Sequence, residues 1–195
     1  MALVETLPLA PGPAADPPDA REEIVSDLFA AILEAHGLDL RDPHLSDTPR
    51  RVARALGALL GGLEAPEPEI TTFPNAEGYR EPVVLSGIRF HSICSHHFLP
   101  FFGEARIAYV PGSHLVGLSK PARVVDYLSR RPQVQERLTD QIAELLNRRL
   151  RPRALAVRLR ARHLCMEMRG VEKEAWTETA ATRGEGGPAL SDRLR

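Results

Sequence analysis

The sequence predicts an α+β protein, because its helical and strand-like segments come in pairs instead of alternating one by one. Apolar residues first recur every three or four positions, as on one side of a helix, over two successive segments. From Val83 onward they alternate with polar residues, as on the faces of a half-buried strand. The same succession then repeats, so the predicted order is helix, helix, strand, strand, helix, helix, strand, strand.

The N-terminal part is predicted to be a leader followed by a helical region over residues 20–65. Residues 1–19 are rich in proline and alanine and are expected to be disordered. A first helix is expected from Ala20 to His36, with Gly37 in the position of a C-terminal cap. A second helix begins at Thr48-Pro49, an N-cap residue followed by a first-turn proline.

A β-hairpin is predicted for the middle of the chain. Residues 66–82 are rich in Pro, Glu and Gly and are interpreted as a connecting loop. One strand is expected from Val83, kinked at Gly87, and another after Pro100, closed by Pro111-Gly112. The two strands would form an antiparallel hairpin with a cysteine- and histidine-containing turn at its tip.

Two helices are predicted to follow the hairpin, from Ser119 to Ser129 and from Pro132 to Leu150. Alternation of apolar residues then predicts a strand from Leu155 onward. If that strand stays regular, His163 and Cys165 lie on its apolar face.

The last predicted strand covers Thr177 to Thr182. Residues 183–195 are polar and contain several glycines, and we expect them to form a flexible C-terminal tail.

Composition narrows the class of function. The formal net charge of −1 gives no overall basic field for binding nucleic acid. No apolar run approaches the roughly 20 residues of a membrane span, and the N-terminus lacks the basic and long apolar regions of a secretory signal. We therefore expect a cytoplasmic protein without nucleic-acid or membrane partners, in a reducing compartment that keeps its 2 cysteines as thiols.

The residues best suited to chemistry concentrate between Phe90 and Gly103. Cys94 and His97 form a Cys-x-x-His spacing, which lets one short turn present a thiolate and an imidazole to the same metal. With Cys165 they make a Cys2His set of three ligands. Such a set is typical of a catalytic zinc site, because it leaves a fourth position open.

Other interpretations of the cysteines remain open at this point. The two residues could be small buried hydrophobic side chains, or they could form a disulfide. Imidazoles near both cysteines favour a metal, since buried cysteines need no such neighbours. These are His91, His96, His97 and His163.

Three polar clusters exceed what a simple core needs. Ser119, Lys120 and Arg123 place a hydroxyl and two cations at the start of a predicted helix, where cations oppose the helix dipole unless they bind an anion. Gln133–Arg137 and Met168–Gly170 add further polar groups. Each residue alone is better explained as surface charge, but together they suggest a polyanionic, nitrogen-rich ligand near an activated water.

Several motifs, in order along the chain, closely resemble GTP cyclohydrolase I, the zinc enzyme that opens folate and pterin synthesis. The resemblance covers roughly Ile24 to Thr182. The segments that carry it are Asp47-Thr48-Pro49-Arg50-Arg51-Val52-Ala53, Cys94-Ser95-His96-His97, Gly117-Leu118-Ser119-Lys120 with Arg123, Arg131 to Thr139, and His163-Leu164-Cys165-Met166 with Arg169-Gly170-Val171.

The resemblance implies a tunnelling fold (T-fold) over residues 83–182, with an antiparallel sheet, paired helices and an N-terminal helical extension. In this family, strands join neighbouring subunits around a barrel. The assembly is a homodecamer of two stacked pentamers with active sites between subunits. The reaction converts GTP and water to 7,8-dihydroneopterin triphosphate and formate, as a step of tetrahydrofolate and pterin synthesis.

The resemblance also implies roles for individual residues. Zn2+ would be bound by Cys94, His97 and Cys165. The remaining roles are an acid/base pair (His96, His163), recognition of the guanine edge (Glu136), other substrate contacts (Ser119, Gln135) and binding of the triphosphate (Lys120, Arg123, Arg169, Arg51). The family usually continues past the last strand with an aromatic and basic helical segment, which Gly184–Pro188 and a short tail replace here.

Two alternatives compete with this interpretation. Another T-fold enzyme, such as the nitrile reductase of queuosine synthesis, uses a cysteine as a nucleophile and has no need of Cys94, His97 and Cys165 together. A non-catalytic, zinc-stabilised binding module would keep the ligands but could lose His96, His163 or Glu136, and the sequence retains all three. Metal analysis and incubation with GTP distinguish these alternatives.

Overall fold

The computed structural model describes residues 20–194, so the predicted leader of residues 1–19 lies outside the described part. The chain divides into two compact units, Met1–Gly57 and Ala58–Arg195. The helical region expected over residues 20–65 is therefore shared between the two units. None of the helices among the described residues is long and apolar enough to cross a membrane.

The first unit contains helix α1 (Ala20–Ala35) and most of helix α2 (Thr48–Leu60). Gly37 has a φ of +75°, which agrees with the predicted C-terminal cap because glycine adopts this conformation without a steric penalty. Glu22 of α1 accepts a hydrogen bond of 2.8 Å from Arg54 of α2.

The second unit is built on a five-stranded sheet with the strand order β5-β2-β3-β6-β7. Strands β2, β3, β6 and β7 pair antiparallel with one another in that order, which confirms the predicted α+β class. The strands are β2 (Val83–Cys94), β3 (Pro100–Val110), β5 (Pro132–Gln133), β6 (Ala154–His163) and β7 (Thr177–Arg183).

Helices α3 (Ser119–Ser129) and α4 (Gln135–Leu150) bury their apolar faces against the sheet. Leu138, Ile142 and Leu146 recur along α4 and are fully buried. They meet alternate residues of β6, including Leu155 and Leu159, which are also fully buried. The apolar residues that recur at helical spacing in α4 and at every second position in β6 thus form one continuous core.

Three short strands were not predicted, and two of them pair with each other. The segment interpreted as a loop over residues 66–82 contains β1 (Thr72–Pro74), which pairs antiparallel with β4 (His114–Val116). Three-residue strands carry too little alternation to be recognised in a sequence.

The predicted start of the fourth helix at Pro132 is wrong. Residues Pro132–Gln133 form the short strand β5, which pairs in parallel with Ile93 and Cys94 at the end of β2. Val134 keeps extended backbone angles, and α4 begins at Gln135. The missing backbone N–H of proline is tolerated here because β5 is an edge strand.

The flexible tail expected over residues 183–195 is wrong in part, since Arg183 ends β7 and a helix forms further on. Helix α6 (Gly187–Asp192) follows β7. Leu190 and Leu194 are buried, and they pack with Ala108, Ala154 and Ala156 in a second apolar cluster. The small side chains at that end of the sheet leave room for a helix to pack. The polar composition of the tail gives no indication of this helix.

Strand β3 lies very close to its antiparallel partner β6 at Gly103, which leads to a first prediction. A Cβ atom at Gly103 would lie 1.9 Å from the carbonyl oxygen of Arg160. Since that neighbour is backbone, we expect Gly103→Ala to lower the free energy of unfolding by at least about 2 kcal/mol, a fall in Tm of about 4–8 °C. Gly57→Ala is the control, because a Cβ at Gly57 has nothing within 4 Å. Equal thermal unfolding curves for the two variants would contradict the prediction.

Candidate metal centre and active site

The turn between β2 and β3 holds the first half of the site. Strand β2 ends at Cys94, and Phe98 donates a backbone hydrogen bond of 2.9 Å to the Cys94 carbonyl. The backbone N–H of Ser95 donates to the carbonyl oxygen of Gln133 in β5 at 2.9 Å. The turn predicted at the hairpin tip is therefore confirmed, and the unpredicted strand β5 anchors it.

The second half of the site lies where β6 ends. His163 is the last residue of β6 and stands opposite Phe101 in the register with β3. The chain then forms the short helix α5 (Leu164–Glu167), so the condition of a strand that stays regular through Cys165 is not met. The helical turn nevertheless brings Cys165 to the same end of the sheet as Cys94.

Among the described residues, Cys94, His97 and Cys165 form a group that can hold a metal ion. One ligand atom of each lies within 4.8 Å of the others. Both cysteines are free thiols, so the disulfide alternative does not apply to this structure. The predicted juxtaposition of the three residues is confirmed.

The electrostatics of this group fit a cation. Burial raises the pKa of the Cys165 thiol, and the hydrogen bond and charge interaction with Cys94 raise it further, whereas Arg169 lowers it. Two sulfur atoms placed this close disfavour a pair of thiolates by repulsion. A divalent cation between them removes that penalty, because it stabilises the thiolate form of its ligands.

His163 is held from two directions. Its ring stacks on the Phe101 ring with 4.7 Å between centroids and an interplanar angle of 2°. Its Nε2 atom lies 2.7 Å from the side-chain oxygen of Gln135. Burial lowers the pKa of His163, and the negative charges of Glu136 and Glu167 partly offset this effect.

His96 belongs to the same turn as His97, directly after the end of β2. It is exposed, and its Nδ1 atom is 3.9 Å from the sulfur of Cys94. Its ring meets the His97 ring edge-on, with 6.3 Å between centroids. The two candidate acid/base histidines thus differ in environment, one exposed and one packed on an aromatic ring.

A cavity of about 320 Å³ joins these residues. Glu136, in the first turn of α4, is exposed and contributes a carboxylate to its wall. The candidate residues that line this cavity are Cys94, His96, His97, Gln135, Glu136, His163 and Cys165.

The candidate triphosphate residues and Ser119 do not line this cavity of the single chain. Ser119, Lys120 and Arg123 are in α3, and none of them lines the cavity. Arg169 follows α5 and is exposed. Arg51 belongs to the N-terminal unit, where it forms an ion pair of 3.3 Å with Asp47.

Sequence analysis missed the residues that support His163. The side-chain nitrogen of Gln135 donates to the Thr177 carbonyl oxygen at 3.0 Å and to Thr179 Oγ1 at 3.1 Å. Gln135 is buried, and its amide has partners within the protein. The substrate contact expected for Gln135 remains a prediction. The sequence signal for this contact was the pair of threonines two residues apart in β7, because residues at that spacing share one face of a strand.

Comparison with known proteins gives a consistent result. The family model described as GTP cyclohydrolase I matches residues 25–191. A protein named GTP cyclohydrolase 1 from Chlorobium phaeovibrioides is 45% identical over 165 residues, which cover 84% of this chain and 74% of that protein. The protein of the same name from Bacillus subtilis is 43% identical over 169 residues, covering 85% of this chain and 88% of its own length.

Among solved structures, an archaeosine synthase QueF-like protein in the apo form is similar with a TM-score of 0.42 and 17% identity. The match covers 51% of this chain and 92% of that one. A similarity of this size adds nothing to the assignment.

Proposed function

The chain belongs to the GTP cyclohydrolase I family, and on this basis we propose that it converts GTP and water to 7,8-dihydroneopterin triphosphate and formate. The observation that supports the proposal best is the shared cavity. It combines a metal-binding group, two imidazoles and a carboxylate, which are the groups that opening of a guanine imidazole ring requires.

We propose zinc as the metal. Two thiolates and one imidazole suit zinc better than the oxygen-preferring ions Mg2+ and Ca2+. Three protein ligands leave a position for substrate or water. When bound, zinc supplies a Lewis acid that makes water a nucleophile at neutral pH. A reducing compartment such as the cytoplasm would keep Cys94 and Cys165 available as ligands.

His96 and His163 are the proposed acid/base pair. Imidazoles titrate near neutral pH and can both give and take protons. One or both would protonate N7 of the purine and move protons during ring opening and rearrangement of the ribose. His163, fixed by Phe101 and Gln135, is suited to a step that needs an oriented proton carrier.

Glu136 is proposed to recognise guanine. Its carboxylate can accept hydrogen bonds from both the N1–H and the amino group of guanine, a pair of donors that adenine lacks. It lines the cavity and is close enough to influence the pKa of His163. The edge of the base would therefore bind on one side of the cavity and its imidazole ring would face the metal.

The triphosphate is proposed to bind Lys120, Arg123, Arg169 and Arg51, with a further substrate contact from Ser119. Since α3 does not line the cavity of its own chain, we propose that α3 of a neighbouring copy supplies its cations. This arrangement requires the homodecamer of two pentamers implied by the family.

Two open sheet edges support such an assembly. Strand β7 pairs only with β6 within the described part of the chain, and β5 covers only Ile93 and Cys94 of the outer edge of β2. Open edges tend to pair with other chains. Joining β7 of one copy to β2 of the next would close the sheets into the barrel of a T-fold.

The activity is tested by incubating purified, zinc-loaded protein with GTP. We expect formate release, together with a product that becomes fluorescent neopterin after oxidation and removal of phosphate. ATP is the control substrate, because adenine lacks the donor pair that Glu136 is proposed to recognise. A protein that contains zinc but releases no formate from GTP would contradict the proposed function.

The role of Glu136 gives a second prediction. Glu136→Gln replaces one acceptor oxygen with a donor that faces the donors of guanine. An unpaired buried polar group costs about 1–3 kcal/mol, so we expect kcat/KM for GTP to fall at least about tenfold with unchanged zinc content. Glu144→Gln on the same helix is the matched control, since Glu144 pairs with Arg183 away from the cavity. If both variants keep normal kcat/KM, Glu136 does not recognise guanine.

A further inference from the structure

We propose that Thr179 and Thr139 are positioning residues: their hydroxyl groups fix the side-chain amide of Gln135, and the amide fixes the ring of His163 for catalysis. The proposal rests on the proposed function, because the benefit of a fixed ring is argued for that reaction. Both threonines lie outside the cavity and are not expected to touch the substrate.

The orientation of the Gln135 amide follows from its partners. Its nitrogen lies 3.0 Å from the Thr177 carbonyl oxygen and 3.4 Å from the Leu159 carbonyl oxygen, and both of these groups can only accept hydrogen bonds. The amide nitrogen must therefore face β6 and β7. The amide oxygen consequently faces His163 Nε2, at 2.7 Å.

The directions of the threonine hydrogen bonds can be assigned in the same way. The Thr139 hydroxyl donates to the backbone oxygen of Gln135 at 2.7 Å, which uses its only proton. In the Thr139–Thr179 contact of 2.6 Å, Thr179 must then be the donor. The Thr179 oxygen remains an acceptor for the Gln135 amide, at 3.1 Å.

The hydrogen bonds thus form a closed cycle between α4 and β7. The Gln135 amide donates to Thr179, Thr179 donates to Thr139, and Thr139 donates to the Gln135 backbone. Reversing the amide would place its oxygen against two carbonyl oxygens and break the cycle. Because networks of this kind stabilise one arrangement of their members, the Gln135 oxygen stays directed at the ring.

The consequence for His163 is one ring orientation and one tautomer. The Gln135 oxygen only accepts, so the proton of the neutral ring lies on Nε2 and the lone pair on Nδ1. Stacking on Phe101 fixes the plane of the ring, and the hydrogen bond fixes its rotation within that plane. A hydrogen bond to one ring nitrogen of a histidine commonly determines which of its two nitrogens carries the proton.

Thr179→Val tests the proposal, since valine keeps the shape of threonine and removes the hydroxyl. We expect kcat for GTP to fall about tenfold while KM stays within about twofold and zinc remains stoichiometric. Thr179→Ser restores the hydroxyl and should recover kcat to within about twofold of the original protein. Thr139→Val is a second variant that breaks the same cycle from α4 and should lower kcat in the same direction.

Thr182→Val is the matched control, because Thr182 lies on the opposite face of β7, and its kcat should not change. A crystal structure of zinc-loaded Thr179→Val provides a readout independent of turnover: His163 should rotate or occupy two positions, while the three metal ligands stay in place. A Thr179→Val protein with unchanged kcat, an unmoved His163 ring, or no rescue by serine would overturn the proposal. If the original protein itself releases no formate, the proposed function fails, and the crystal structure still tests the positioning of the ring.

Discussion

Replacing Cys94 with alanine is expected to remove stoichiometric zinc and to lower GTP turnover by roughly a thousandfold or more. Cys94 is one of three residues in the metal group, and a site left with one thiolate and one imidazole retains too few ligands. The side chain is small and 6% exposed at the end of β2, so alanine fits without displacing neighbours. Metal content by mass spectrometry and formate release measure the two effects.

Ser95→Ala is the control for this variant, because Ser95 is the next residue in the same turn and is exposed. It should keep both zinc and turnover. Treating the original protein with a chelator should abolish activity, and added zinc should restore it, whereas added zinc should not restore Cys94→Ala. Stoichiometric zinc in Cys94→Ala would contradict this prediction, because it would show that the metal is bound elsewhere.

The metal centre is the part of the site that the sequence predicted best. Cys94 and His97 are close in sequence, so one turn is enough to bring them together, and local spacing carries the information. The predicted closeness of Cys165 to Cys94 and His97 is confirmed, although the regular strand on which it was conditional does not continue to Cys165. The strand ends at His163, and a helical turn, not strand alternation, directs Cys165 toward Cys94.

The surroundings of His163 could not be predicted, because they depend on contacts between distant segments. Gln135 reaches His163 only because α4 packs over β6 and β7. The strand β5, which directs Gln135 into the interior, has two residues and no periodic pattern. The polar run at the start of α4 was interpreted only as part of a ligand site, and the sequence did not indicate that Gln133 and Gln135 are buried and bonded within the protein.

The C-terminal segment illustrates another limit of sequence analysis. Glycine and charged residues indicated a flexible tail, yet Leu190 and Leu194 are enough to hold a short helix against three alanines of the sheet. Two apolar residues spaced by four are too weak a signal to distinguish a docked helix from a loop. The surface of the sheet decides whether this segment forms a docked helix. Its three alanines form one packing surface only once the strands are paired.

Removing the imidazole of His163 is expected to have the second large effect. General acid–base groups typically contribute about a hundredfold to ten-thousandfold to the rate, so His163→Ala should lower kcat by that amount while Cys94, His97 and Cys165 retain zinc. The variant should also lose some stability. The Gln135 oxygen loses its partner, which costs about 1–3 kcal/mol, and Phe101 loses a stacking neighbour.

Turnover must therefore be measured per folded, zinc-loaded site, with formate release and pterin formation followed separately. If formate release persists while pterin formation stops, His163 acts after ring opening; loss of both places it at ring opening or earlier. His91→Ala is the matched control. His91 also lies beside an aromatic ring, that of Phe102, with 6.1 Å between the ring centroids. It lines a different cavity. It should keep normal turnover. Normal turnover per folded site in His163→Ala would limit His163 to a packing role and leave His96 as the only candidate acid/base group of the pair.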